Sequence, residues 1–165
     1  SGTTKSTKAS LTLGGACAFK HALNGLIFDA VSMAADGSPI YKARGGDEYI
    51  YHDVDCDGAG SNTAARWVIG NIAPSLTATK DLDGDGKCTY HARLDSTGRK
   101  MLPTSATWRM YCGPAEGWVS LDLTLKEASG KDLVFGNTMV SSAARGGMAA
   151  SEAALSLAIM QALFA

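Results

Sequence analysis

The sequence predicts a mainly β protein: a compact antiparallel sheet domain stapled by disulfides, with an extended N-terminal arm and a C-terminal helix. Three observations carry that expectation. From Cys17 to Asp53, short apolar runs alternate with Asn-Gly, Asp-Gly and Gly-Gly breakers, the signature of strands joined by tight turns. Glycine is frequent, at 19 residues against 4 prolines, which suits a turn-rich β domain better than a Pro-rich disordered chain. The 4 cysteines all fall within the β-like portion and form no Cys-x-x-Cys pair, which favours two disulfides in an oxidising compartment over buried free thiols.

The elements follow in order. Residues 1–14, small, polar and dotted with lysine, read as an extended arm. Residues 15–125 read as the disulfide-stabilised β domain, and 165 residues suffice for one domain with a sizeable core. In Tyr49-Ile50-Tyr51 the two tyrosines share one face and the isoleucine takes the other. Trp67, Trp108 and Trp118 each sit in a strand-like run beside aliphatic neighbours, so all three are expected as core anchors before ligand platforms. Residues 126–165 read as a linker and an apolar helix capped by Ser151; Leu155, Ile159, Met160, Leu163 and Phe164 would dock it on a partner or in a membrane interface. The uncharged run from Ala153 is shorter than the roughly 20 residues a bilayer span needs.

Three disulfide connectivities are open. Cys56 and Cys88 each lie in an Asp-rich loop while Cys17 and Cys112 bracket the domain, so the favoured pairs are Cys56 with Cys88 and Cys17 with Cys112.

Those two loops are the main chemical signal. "DVDCDG" supplies Asp53, Asp55 and Asp57, and "DLDGDG" supplies Asp81, Asp83 and Asp85, in each case before a turn glycine. Alternating carboxylates around a Gly turn present several oxygens to a hard cation, so calcium is the cofactor to test, against turn chemistry as the plainer account. Neither loop completes an EF-hand: counted from Asp53 and Asp81, the residue where a bidentate Glu belongs is Ala64 or Ala92. Zinc would need His52, Cys56, Cys88 and His91 to converge, at spacings unlike those of zinc fingers.

Catalytic signals are thin. No Gly-x-Ser-x-Gly elbow, Gly-x-Gly-x-x-Gly run or phosphate loop occurs, and Gly-flanked carboxylates read as solvated rather than as an acid held protonated. A small hydrolase would have to be centred on His52 or His91. The balance of 15 basic and 16 acidic residues leaves no basic stripe for nucleic acid or an anionic membrane.

The run from Asp36 to Asn71 resembles a short β module of algal, dinoflagellate and other protist proteins, in which a Gly-x-Pro-x-Tyr turn precedes an aromatic strand and then Trp-Val-Ile-Gly. The matching residues are Gly37, Pro39, Tyr41, Tyr49, Ile50, Tyr51, Trp67, Val68, Ile69 and Gly70. The resemblance implies a small binding or structural unit and carries no catalytic residue with it.

The expected function is therefore a non-catalytic accessory or scaffolding subunit in a larger assembly, with protein partners. The alternative is a secreted, calcium-stabilised adhesive or carbohydrate-binding module. Asn24, Asn62, Asn71 and Asn137 all lack the glycosylation context, so the expected setting is an organelle lumen, on the resemblance that of the thylakoid, or else secretion. The chain opens on Ser1 with no signal-peptide core, as expected of a processed chain.

Overall fold

The computed structural model describes residues 10–60, 64–96 and 100–128. Residues 1–9 of the expected arm and the expected helix, with Leu155, Ile159, Met160, Leu163 and Phe164, lie outside them.

Eight strands follow in chain order: β1 Ser10–Gly14, β2 Ile27–Met33, β3 Pro39–Ala43, β4 Tyr49–Asp53, β5 Arg66–Gly70, β6 Ala92–Asp95, β7 Ser105–Tyr111 and β8 Trp118–Glu127. Each pairs antiparallel with its sequence neighbour, and β1 pairs with β8, so the sheet closes into a barrel without a free edge. The resemblance residues map onto three neighbouring strands, β3 to β5, and the turn before them.

Period-two alternation decides what faces inward. Leu13, Phe28, Ile50, Trp67, Ile69, Ala92, Trp108, Met110, Leu123 and Leu125 are fully buried and form one cluster. Eight strands enclose a space just wide enough for side chains or for one small ligand, and here two indoles and a layer of aliphatic groups occupy it. The outward residues of β3 to β5 make a second, smaller core: Ile40, Tyr51 and Val68 pack with Ala34 and with Leu82 of the long β5–β6 connection.

That connection leaves β5 at Gly70 and lies along the outer wall. Leu82 N–H donates to Asp53 Oδ2 and Asp81 N–H to the Asp55 carbonyl, beyond the opposite end of β4, before the chain returns to start β6. Both favoured disulfides form, Cys17–Cys112 and Cys56–Cys88. The second ties the long connection to the β4–β5 loop.

Three local expectations change. Ser10–Gly14, expected within the arm, is β1: Leu11 and Leu13 point into the barrel, and this alternation outweighs the polar composition around it. Ala18–Leu23, expected among strands, is a 3₁₀ turn between Gly15 and β2. Gly15 has φ +92°, and a Cβ there would overlap the Asp122 carbonyl, so the chain turns sharply where a strand would have continued. The β domain also runs past Leu125, because β8 continues to Glu127.

Candidate functional site

Two features of the outer wall carry chemistry, and the β5–β6 connection contributes to both. The first is the pair of Asp loops. In the loop after β4, each carboxylate accepts from backbone N–H groups: Asp53 Oδ1 from Asp55 at 3.0 Å, Asp55 Oδ2 from Gly60 at 2.9 Å, and Asp57 Oδ1 from Ala59 at 3.0 Å. Asp53 is 1% exposed, and its Oδ2 accepts from Leu82 N–H at 2.8 Å, so it fastens one loop to the other.

In the second loop the carboxylates converge. Asp81, Asp83 and Asp85 each bring an oxygen within 4.8 Å of the others, the one such group of metal-ligating side chains among the described residues. Asp81 Oδ2 accepts from Gly86 N–H at 3.1 Å and Asp85 Oδ1 from Lys87 N–H at 2.7 Å, while Asp81 Oδ1 is buried without a partner. Tyr51 O–H donates to Asp83 Oδ2 at 3.3 Å. Partial burial, then the charge of Asp85, push the Asp83 carboxyl up to about 6. Burial and the Asp83 and Asp53 charges also raise the Tyr51 phenol, which stays protonated and able to donate. Three converging oxygens with one orphaned lone-pair site fit a calcium ion that takes its remaining ligands from water or backbone carbonyls. Asp53, Asp55 and Asp57, expected as ligands on the same footing, accept from backbone N–H groups in the same way as the second set, but among the described residues they do not form such a converging group.

The second feature is a cleft of about 250 Å³ lined by Cys88, Tyr90, Arg93, Arg109 and Trp118. Outward positions of β6, β7 and β8 bring Arg93, Arg109 and Trp118 together, and the end of the long connection adds Tyr90. Tyr90 meets Trp118 edge-on at 5.6 Å between ring centroids, Trp118 meets Tyr111 at 5.7 Å, and Tyr111 meets Phe19 at 6.0 Å, so four aromatic rings form a chain across the wall. The Tyr90 hydroxyl accepts from Arg66 at 2.8 Å and from Arg93 at 3.1 Å. Arg109 reaches only the Trp118 carbonyl, at 3.4 Å. Trp67 and Trp108 are core anchors as expected; Trp118, 41% exposed, is not. No motif marks this cleft in the sequence. The available signal was Arg109 between two inward residues, Trp108 and Met110, which puts it on the outer face.

The histidines expected for zinc or catalysis lie apart. Cys56 and Cys88 are bonded to each other, so neither offers a thiolate. His52, 2% exposed, closes one end of the barrel: Nδ1 lies 3.1 Å from Asp36 Oδ2, Nε2 lies 3.1 Å from Ser96 Oγ, and its ring packs on Trp67. Burial works against the charge on Asp36, but hydrogen bonds from Ser38 and His52 outweigh it and hold that carboxyl below its ordinary value. The order acid, imidazole, hydroxyl is that of a hydrolase triad. Ser96 is itself buried, its Oγ also faces the Ala65 carbonyl at 3.5 Å, and both ring nitrogens of His52 have partners, so the array is satisfied as buried polar groups require. His91 sits beyond the other end, where Lys20 Nζ donates to Nδ1 at 3.1 Å; burial and that ammonium keep the ring neutral.

The two disulfides fit an oxidising, extracytoplasmic setting, and no helix among the described residues is long and apolar enough to cross a membrane. No protein-family model, curated protein or solved structure matches the chain.

Proposed function

We propose that the protein is a non-catalytic extracytoplasmic recognition module that binds its ligand on the outer wall of the barrel, with the second Asp loop braced by calcium. The observation that carries this reading is the reversal of one tryptophan. Trp67 and Trp108 are buried in the interior, whereas Trp118 stands on the outside, wedged between Tyr90 and Tyr111 with 41% of its surface in water. Orienting a large aromatic group outward forgoes its burial, which the hydrophobic effect favours by about 2 to 3 kcal/mol for a side chain of this kind. A ring held there by two neighbours is a contact surface with little conformational entropy left to lose.

Among ligands, this surface suits a carbohydrate or an adhesive contact. The test is retention of the intact protein on immobilised polysaccharides in calcium buffer, wild type beside Trp118→Ala. Retention by the wild type and its loss in the variant is the expected result; equal behaviour of the two on every matrix would remove the reading.

A second reading, an accessory subunit held in a larger assembly, draws on a different patch. Val31 and Met33 on β2 are 43% and 55% exposed and neither lines the cleft. Co-purification of a stoichiometric protein partner that Met33→Lys releases would favour it. A thylakoid-lumen setting rests on the protist resemblance and the missing glycosylation acceptors and would be tested by immunolocalisation.

A further inference from the structure

We infer that the cleft between Arg93, Arg109 and Trp118 is a subsite for one ring of an acidic saccharide, with the ring face laid on Trp118 and its carboxylate held by the two guanidiniums. This rests on the recognition-module reading and adds the charge and size of the ligand.

Charge comes first. Arg93 Nε is buried without a hydrogen-bond partner, and its nearest carboxylate oxygen, on Asp95, lies 3.8 Å away and is shared with Arg66 at 3.9 Å. Among the described residues Arg109 has no acidic partner within ion-pair distance, only the Trp118 carbonyl at 3.4 Å. Two guanidiniums therefore line one small cleft, and the carboxylate that comes within 4 Å of either, that of Asp95, is half exposed. A planar carboxylate accepting paired N–H bonds complements such a cluster better than any neutral group.

Size and shape narrow the class. A volume of about 250 Å³ lies below the roughly 300–1,000 Å³ of pockets for drug-sized ligands, so the cleft takes one ring at a time. The tryptophan supplies an apolar face for the C–H groups of a sugar, and Tyr90 and Tyr111 fix its orientation from either side. A long polyanion such as nucleic acid would need a basic track, which the outer wall lacks: Asp122 stands on β8 directly across from Thr107 and holds its hydroxyl at 2.6 Å. An acidic peptide supplies carboxylates but no rigid ring face to match Trp118.

The cleft is tied to the Asp loop through the chain itself. Cys88 lines the cleft only three residues after Asp85 and is anchored to Cys56, so ordering the loop orders Tyr90.

The experiment is a titration of the intact protein in calcium buffer with three probes: a hexauronate, a neutral cello-hexasaccharide and hexaglutamate. Calorimetry gives affinity, and tryptophan emission reports on Trp118, because Trp67 and Trp108 are shielded from solvent and ligand alike. The hexauronate is expected to perturb emission and to bind at least tenfold more tightly than the neutral probe. Arg109→Gln should weaken it about tenfold, the consequence of losing one charge-assisted contact, and Trp118→Ala should remove the spectral change and most of the affinity. Both positions are exposed, so far-UV circular dichroism and the urea midpoint should stay close to wild type and certify the fold. Hexaglutamate binding as tightly as hexauronate, with Trp118→Ala without effect, would overturn the proposal in favour of charge capture of an acidic peptide. Equal, Trp118-dependent binding of the neutral and acidic sugars would overturn the acidic ligand while leaving the recognition module standing. Failure of every soluble sugar overturns the subsite too, and retention on immobilised polysaccharide then decides separately whether the broader reading falls.

Discussion

The loop after β4 and the loop before β6 share Asp-x-Asp-x-Asp-Gly and a cysteine, yet their carboxylates do different work. In the first, Asp53, Asp55 and Asp57 are each bound to backbone N–H groups. In the second, Asp81, Asp83 and Asp85 also accept from backbone N–H groups, but they converge on one another as well, with the Asp81 Oδ1 buried and unpaired. The cause is position relative to the sheet. Asp53 is the last residue of β4 and its side chain lies under the covering connection, so burial compels it to find donors. The second loop is fastened to the sheet by Leu82, which sits in the small outer core, while its Asp neighbours on either side stay partly exposed. Gly58 marks where they touch: at φ +65° a Cβ would come 3.2 Å from the Asp81 Cβ. The same Asp-x-Asp-x-Asp-Gly pattern thus gives a clamp in one loop and, on the proposed reading, a cation trap in the other.

The comparison can be broken most forcefully at the clamp. Asp53→Ala removes the acceptor for two buried N–H groups, those of Asp55 and Leu82. Hydrogen bonds to a charged acceptor contribute about 1.5 to 3 kcal/mol each, so a loss near 4 kcal/mol is expected in urea unfolding, the same with calcium or chelator present. The Cys56→Ala, Cys88→Ala pair severs the covalent link between the loops. It should cost about 3 kcal/mol, as expected for opening a loop of 32 residues already nested within the Cys17–Cys112 span. A loss well under 1 kcal/mol would mean that Asp53 alone holds the loops together.

How far this organisation could be read from the sequence depends on which residues are asked. Antiparallel strands and both disulfide pairs were legible, because alternation and the placement of Cys56 and Cys88 in matched loops are local facts. β1 was hidden since its Ser, Thr and Gly content outweighs two leucines until β2 and β8 are known to flank it. Trp118 looks like Trp67 in sequence; only the pairing of Trp118 with Tyr111 at a solvent-facing position separates them. The same holds for the cleft, whose arginines come from different strands and meet only once the barrel closes. Why one Asp loop converges and the other does not was beyond reach, because it turns on the burial of Leu82 and Asp53.

The trap should respond where the clamp does not. At calcium 100-fold above its dissociation constant, stabilisation of about 2.7 kcal/mol is expected for wild type. It should vanish in Asp81→Asn, Asp85→Asn and persist in Asp57→Asn, which alters only the first loop. Calorimetric stability in calcium and in chelator distinguishes the two; an Asp57→Asn variant that loses the calcium effect would make the first loop a ligand donor after all.

The smallest effect has an unusual sign. An aspartate raised from its ordinary 3.8 to about 6 binds its proton more tightly in the folded chain than in the unfolded one. Without metal, Asp83 therefore favours folding most at low pH, and that contribution is lost as pH rises from about 4 through about 6. Since the group is partly solvated, screening keeps the change under about 1 kcal/mol. Asp83→Asn mimics the protonated form and should slightly stabilise the chelated protein above pH 6 while flattening the pH dependence of this loop. Calcium must displace the same proton, so wild-type affinity should fall about tenfold per pH unit well below 6. An affinity that ignores pH between 5 and 7 would mean that the ion, if bound, does not use Asp83. The clamp then offers an internal control: Asp53 accepts from two backbone N–H groups and faces no converging carboxylate, so Asp53→Asn should alter overall stability without moving the calcium midpoint along the pH axis.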